Sequence, residues 1–86
     1  MNRRKLLTRL ASGAVGNISF DDFTGLVRTF GFALARKSGS HHIYARPDIP
    51  QLVNLQEVNG QAKPYQIRQF LRLVEKYNLE MEDERE

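Results

Sequence analysis

Cysteine is absent from this chain of 86 residues. Its absence removes disulfide frameworks, thiolate metal sites and thiol nucleophiles together. Histidine is scarce as well, with only His41 and His42, side by side. No stretch approaches the ~18 consecutive apolar residues that a membrane-spanning helix needs. Acidic residues are few in the body of the chain: residues 1–78 carry 12 Lys+Arg against 5 Asp+Glu, or +7. Residues 79–86 (LEMEDERE) reverse this, with 1 basic and 5 acidic side chains, or −4. A basic body implies a polyanionic partner, either nucleic acid or an acidic protein surface. The acidic tail either solvates the end of the domain or shields the basic face. One small domain is all this length supports, held by packing alone or with a partner's help.

The first 18 residues form an N-terminal extension. Leu6-Leu7 is followed by Thr8 and Arg9, so the apolar run of a secretory signal fails. The segment is Arg-rich and free of acid until Asp21, as organellar presequences are. Its simpler reading is a short amphipathic helix with Leu6, Leu7 and Leu10 on one side, ended by Gly13 and Gly16. Such a helix packs on the domain or reaches for a polyanion. Asn17-Ile18-Ser19 matches a glycosylation triplet, which has meaning only in a secreted chain.

The domain proper spans residues 19–78. Ser19 is placed to cap a helix, with Asp21 and Asp22 in the first turn where the dipole favours them. Phe20, Phe23, Val27 and Phe30 recur at helical spacing, and Gly31 is a left-handed stop. Residues 32–36 read as a strand, Lys37-Ser38-Gly39 as a tight turn and 40–45 as a second strand. Pro47-Asp48-Ile49-Pro50 reads as a loop, because two prolines break a ladder. Residues 51–56 read as a third strand, and Asn59-Gly60 marks another turn. Pro64 suits the first turn of a helix with Ile67, Phe70, Leu71, Val74 and Tyr77 on one face. Arg68, Arg72 and Lys76 line another face, and Asn78 ends the helix. The expected fold is α+β: α-β-β-β-α, a three-stranded antiparallel sheet with two helices on one face, plus the short N-terminal helix. The other sheet face is left to solvent or a partner.

The chemistry available is narrow. Asp21 and Asp22 are accounted for by capping, Asp48 by its turn and Glu75 by a solvated helix face, so no carboxylate pair stands ready. Neighbouring strand residues point to opposite faces, so His41 and His42 do not chelate one metal; neither metal nor cofactor is expected. One His facing the open side of the sheet is the plausible acid/base. Arg36, Lys37, Ser40, Tyr44 and Arg46 are near it in sequence. The cations would stabilise charge on a phosphate, and Tyr44 would stack on a base.

The run Gly31-Phe32-x-Leu34-x-Arg36-x-x-Gly39-Ser40-His41-His42-x-Tyr44-x-x-Pro47 resembles the HicA toxin family. The likeness covers about residues 19–78. It implies a fold like the double-stranded RNA-binding domain and a cytoplasmic mRNA interferase, the toxin of a type II toxin–antitoxin system. It further implies metal-independent endoribonuclease activity, growth arrest, and a HicB-like antitoxin as protein partner. The site implied has His41 or His42 as the catalytic group, with His41 favoured. The RNA-binding set is Arg36, Lys37, Gly39, Ser40, Tyr44, Arg46, Arg68 and Arg72. The third strand departs from the family pattern, since Val53-Asn54-Leu55-Gln56 lacks the Pro and His often found there. Two other classes compete: a non-catalytic RNA-binding module and a pure protein-interaction domain.

Overall fold

A computed structural model of the chain describes residues 2–82. It is an α+β domain of three helices and one antiparallel sheet of four strands. Helix α1 (Arg3–Ala11) starts at Asn2, whose Oδ1 accepts from the Arg4 and Lys5 backbone N–H groups at 2.9 and 3.1 Å. Leu6 and Leu10, one turn apart, are buried on its inner side. Helix α2 (Phe20–Thr29) starts at Ser19, whose Oγ accepts from Asp22 N at 3.0 Å. It ends at Gly31, which takes the left-handed conformation the stop requires.

Strands β1 (Ala33–Ser38), β2 (His41–Arg46), β3 (Ile49–Val58) and β4 (Gln61–Ala62) pair in chain order. The first turn is Gly39-Ser40 rather than 37–39, so Lys37 and Ser38 belong to β1. The second turn is only Pro47-Asp48, closed by the pair Arg46↔Ile49. Ile49 and Pro50 therefore belong to β3, where a loop is the sequence expectation. Pro50 is tolerated because it falls at the irregularity between the pairs Tyr44↔Val53 and Arg46↔Ile49 and has no register partner in β2. Asn59 and Gly60 both have positive φ, the backbone of a type I′ hairpin, which turns the chain straight into β4. This two-residue strand makes the sheet four-stranded rather than three. It also holds the entrance to α2, through Ala62 N to Ile18 O and Phe20 N to Gly60 O.

Helix α3 (Pro64–Lys76) closes the core with Ile67 and Phe70. Phe70 meets Phe23, Phe30 and Phe32 edge-on, at centroid distances of 5.7, 5.6 and 5.6 Å. The N-terminal segment is part of the same core: Leu6, Leu10, Val15 and Ile18 are buried in it, so α1 packs on the domain. At the other end, Leu79 and Met81 pack against the core and Glu82 N donates to Thr29 O at 2.7 Å. The start of the acidic segment thus closes the C-terminal end of α2; residues 83–86 lie outside those described. One sheet face, with Tyr44, Val53 and Leu55, is buried under the helices. The other is open.

Candidate functional site

The strand registers lay out the open face as three rows. Ser38, His41 and Gln56 form the first, and Arg36, Ile43 and Asn54 the second. Ala33 and Ala45 form the third, with Leu52, 61 % exposed, beside them on β3. None of these positions is acidic. Arg36 reaches this face because of a bulge: Leu34 pairs with Tyr44 and Arg36 with Ile43, so one extra residue, Ala35, reverses the alternation.

His41 is exposed in the first row. Its Nδ1 lies 3.3 Å from Asn54 Oδ1. With that oxygen as acceptor, Nδ1 carries the proton and Nε2 holds the lone pair. Nε2 has no hydrogen-bond partner among the described residues, and the residue is exposed. Gln56, opposite His41, is the hub of a second polar chain. Its Nε2 donates to Ser40 Oγ at 3.3 Å and its Oε1 accepts from Lys63 Nζ at 3.1 Å. Lys63 also sits 5.4 Å from the centroid of the Tyr65 ring.

His42 lies on the other side of the strand. Its ring rests on buried Phe20 at 4.8 Å between centroids, and Nδ1 meets Ser40 O at 3.2 Å. Lys37 pairs with His42 and is exposed at the same rim. Gly39 has φ +59 and nothing within 4 Å of where a Cβ would sit, so the glycine serves the turn's backbone and leaves its surface clear.

Four residues of the expected RNA-binding set lie away from the open sheet face. Tyr44 is only 1 % exposed, because its strand position faces the helices; Arg28 lies over its ring at 5.5 Å, and no base reaches it. Arg46 is engaged in the fold. Its Nη1 donates to Phe30 O at 2.8 Å, its Nε pairs with Asp48 at 2.9 Å, and its side chain is 26 % exposed. It closes the end of α2 as a cation favourably placed at a helix C-terminus. Arg68 and Arg72 are exposed on α3, on the side turned from the sheet. Arg72 borders a hollow with Leu7 and Ala11 of α1, on the helical side of the molecule.

The structure thus brings together His41, Ser40 and Arg36 from the expected set and adds Asn54, Gln56, Lys63 and Tyr65. No group of three or more potential metal ligands occurs among the described residues, and no described helix is long and apolar enough to cross a membrane. Compared with protein-family models, curated proteins and solved structures, the chain matches none of them.

Proposed function

We propose that this protein is an endoribonuclease toxin of the HicA type, cleaving mRNA without a metal and restrained in the cell by a HicB-like antitoxin. The observation that carries the reading is His41 on an acid-free open sheet face, its Nδ1 held by Asn54 and its Nε2 free. The unit from α2 to α3 is then an α-β-β-β-α module of the double-stranded RNA-binding type extended by the short strand β4, with catalysis on the sheet face away from the helices.

The step follows from the groups present. Nε2 of His41 takes the proton of a ribose 2′-OH. The 2′-oxygen attacks the adjacent phosphorus as the bond to the leaving 5′-oxygen breaks, and that oxygen takes a proton from the imidazolium or water. The products are a 2′,3′-cyclic phosphate and a 5′-hydroxyl. Arg36 stabilises the charge gathering on the phosphate oxygens, and Ser40 holds the backbone beside it.

Purified protein incubated with RNA in EDTA is expected to leave cyclic-phosphate ends, and expression to arrest growth. His41→Ala is expected to abolish both. RNA bound with a salt-dependent affinity but left intact would instead identify a non-catalytic RNA-binding module. The acid-free open face with Arg36 on it supports that second reading. A protein that binds no RNA at moderate salt would be an interaction domain. Co-purification with the product of a neighbouring gene tests the antitoxin partner.

A further inference from the structure

We infer that Lys63 and Tyr65 form a second subsite beside His41, which grips a phosphate and stacks one unpaired base. The inference rests on the ribonuclease reading and assigns it residues outside the Gly-Ser-His signature.

The hub is Gln56. It stands opposite His41 in the ladder, bonds Ser40 Oγ on one side and Lys63 Nζ on the other, and so ties the start of α3 to the histidine row. Its backbone N–H is held by Gln66 Oε1 at 2.8 Å, and Gln66 is a polar side chain only 6 % exposed. The same Gln66 amide donates to Tyr65 Oη at 3.4 Å. Side chains of Gln56, Gln66, Lys63 and Tyr65 thus form one connected network that sets the position of an exposed ring and an ammonium group. Lys63 uses one of its three N–H donors on Gln56 and retains the others for an anion. Tyr65 remains 49 % exposed, and its ring contributes nothing to the buried core.

A half-exposed aromatic ring beside a cation, at the edge of a site for a phosphodiester, suits a nucleobase. Base–aromatic stacking needs a base with a free face, which an unpaired nucleotide offers and a duplex does not. Tyr65 therefore takes the stacking role that Tyr44, buried under α2, does not fill. Lys63 takes the phosphate between that base and the one at His41.

The test uses a 2′-O-methyl RNA, which has no 2′-OH to attack and so reports binding alone. It is measured single-stranded and as a duplex of the same sequence, by fluorescence anisotropy at several salt concentrations. Tyr65→Ala is expected to weaken single-strand binding about tenfold or more, the scale of one lost base stack. Duplex binding is expected to be unchanged, and Tyr65→Phe to bind like the wild type. Lys63→Met is expected to lower the slope of log affinity against log salt by about 0.7, the share of one phosphate contact on a single strand. Unchanged single-strand affinity in Tyr65→Ala, equal loss on both nucleic acids, or an unchanged slope in Lys63→Met overturns the subsite. If these variants behave like a wild type that still cleaves RNA, only the subsite falls. If the wild type neither binds nor cleaves RNA, the ribonuclease reading falls and takes the subsite with it.

Discussion

His41 and His42 are consecutive in the chain, yet they sit in unrelated surroundings. His41 stands on the open face, its ring bonded among the described residues only to Asn54, and it is exposed. His42 is turned toward the helices and rests on Phe20, with its Nδ1 against the Ser40 carbonyl. The side-chain period of two in a strand is the whole cause. The same division runs through the sheet. Tyr44, Val53 and Leu55 make core, whereas Ile43, Asn54 and Gln56, each one residue away, make surface. The helix-covered face gives the domain its stability, and the open face is left free to bind.

The division predicts two kinds of damage that should not mix. The largest effect is expected on the open face: His41→Ala should cut RNA cleavage about 10²–10⁴-fold, the usual worth of a general acid/base, with the melting temperature unchanged. Cleavage by His42→Ala should stay within a few-fold of wild type. If His42→Ala alone removes activity, the division of roles between the two faces is broken. Next, Tyr44→Ala should cost about 3–5 kcal/mol in denaturant unfolding, as large aromatic-to-Ala changes in cores do. Tyr44→Phe should keep most of that stability and all of the RNA affinity; a selective loss of RNA binding in Tyr44→Phe would return Tyr44 to the site. Smaller again, Arg46→Met should lose about 1–2 kcal/mol of stability, by leaving the Phe30 carbonyl and Asp48 without their cation. Its RNA affinity should be close to that of wild type. The smallest change in stability, within about 0.5 kcal/mol, is expected from Arg36→Gln. That variant should instead lower the salt dependence of single-strand RNA binding by about one phosphate contact. Arg46 and Arg36 thus form a paired test, since both are basic and near in sequence but serve opposite faces.

Much of the local structure was legible because its causes are local. Ser19 with Asp21 and Asp22 marks the start of α2, Gly31 its stop, Asn59-Gly60 the last hairpin and Pro64 the start of α3. Each is a backbone requirement met within a few residues. The loop expected at 47–50 failed because a proline breaks a ladder only when its missing N–H is needed there, and Pro50 falls at an irregularity with no register partner in β2. The candidate site was legible only as far as His41, Ser40 and Arg36. Its other members lie across the sheet. Asn54 is 13 positions from His41, and Gln56 is 16 from Ser40. A ladder continued straight from Arg46↔Ile49 would put Asn54 opposite His41. The irregularity between Tyr44 and Arg46 shifts the pairing by two residues and puts Gln56 there. Lys63 and Tyr65 gave no signal of their own, being one cation and one ring at the start of a helix.

The amino-acid sequence by itself determined the charge of the body, the absence of thiol chemistry, the Asn59-Gly60 turn and the alternation that separates two adjacent histidines. These depend on composition and on steric preferences of single residues. Only the tertiary structure decided which side of each strand met the helices. It buried Tyr44, committed Arg46 to the end of α2, carried Arg36 to the open face through one bulged residue and set Lys63 against Gln56. Those outcomes depend on register and packing between segments far apart in the chain, where a shift of one residue exchanges core for surface.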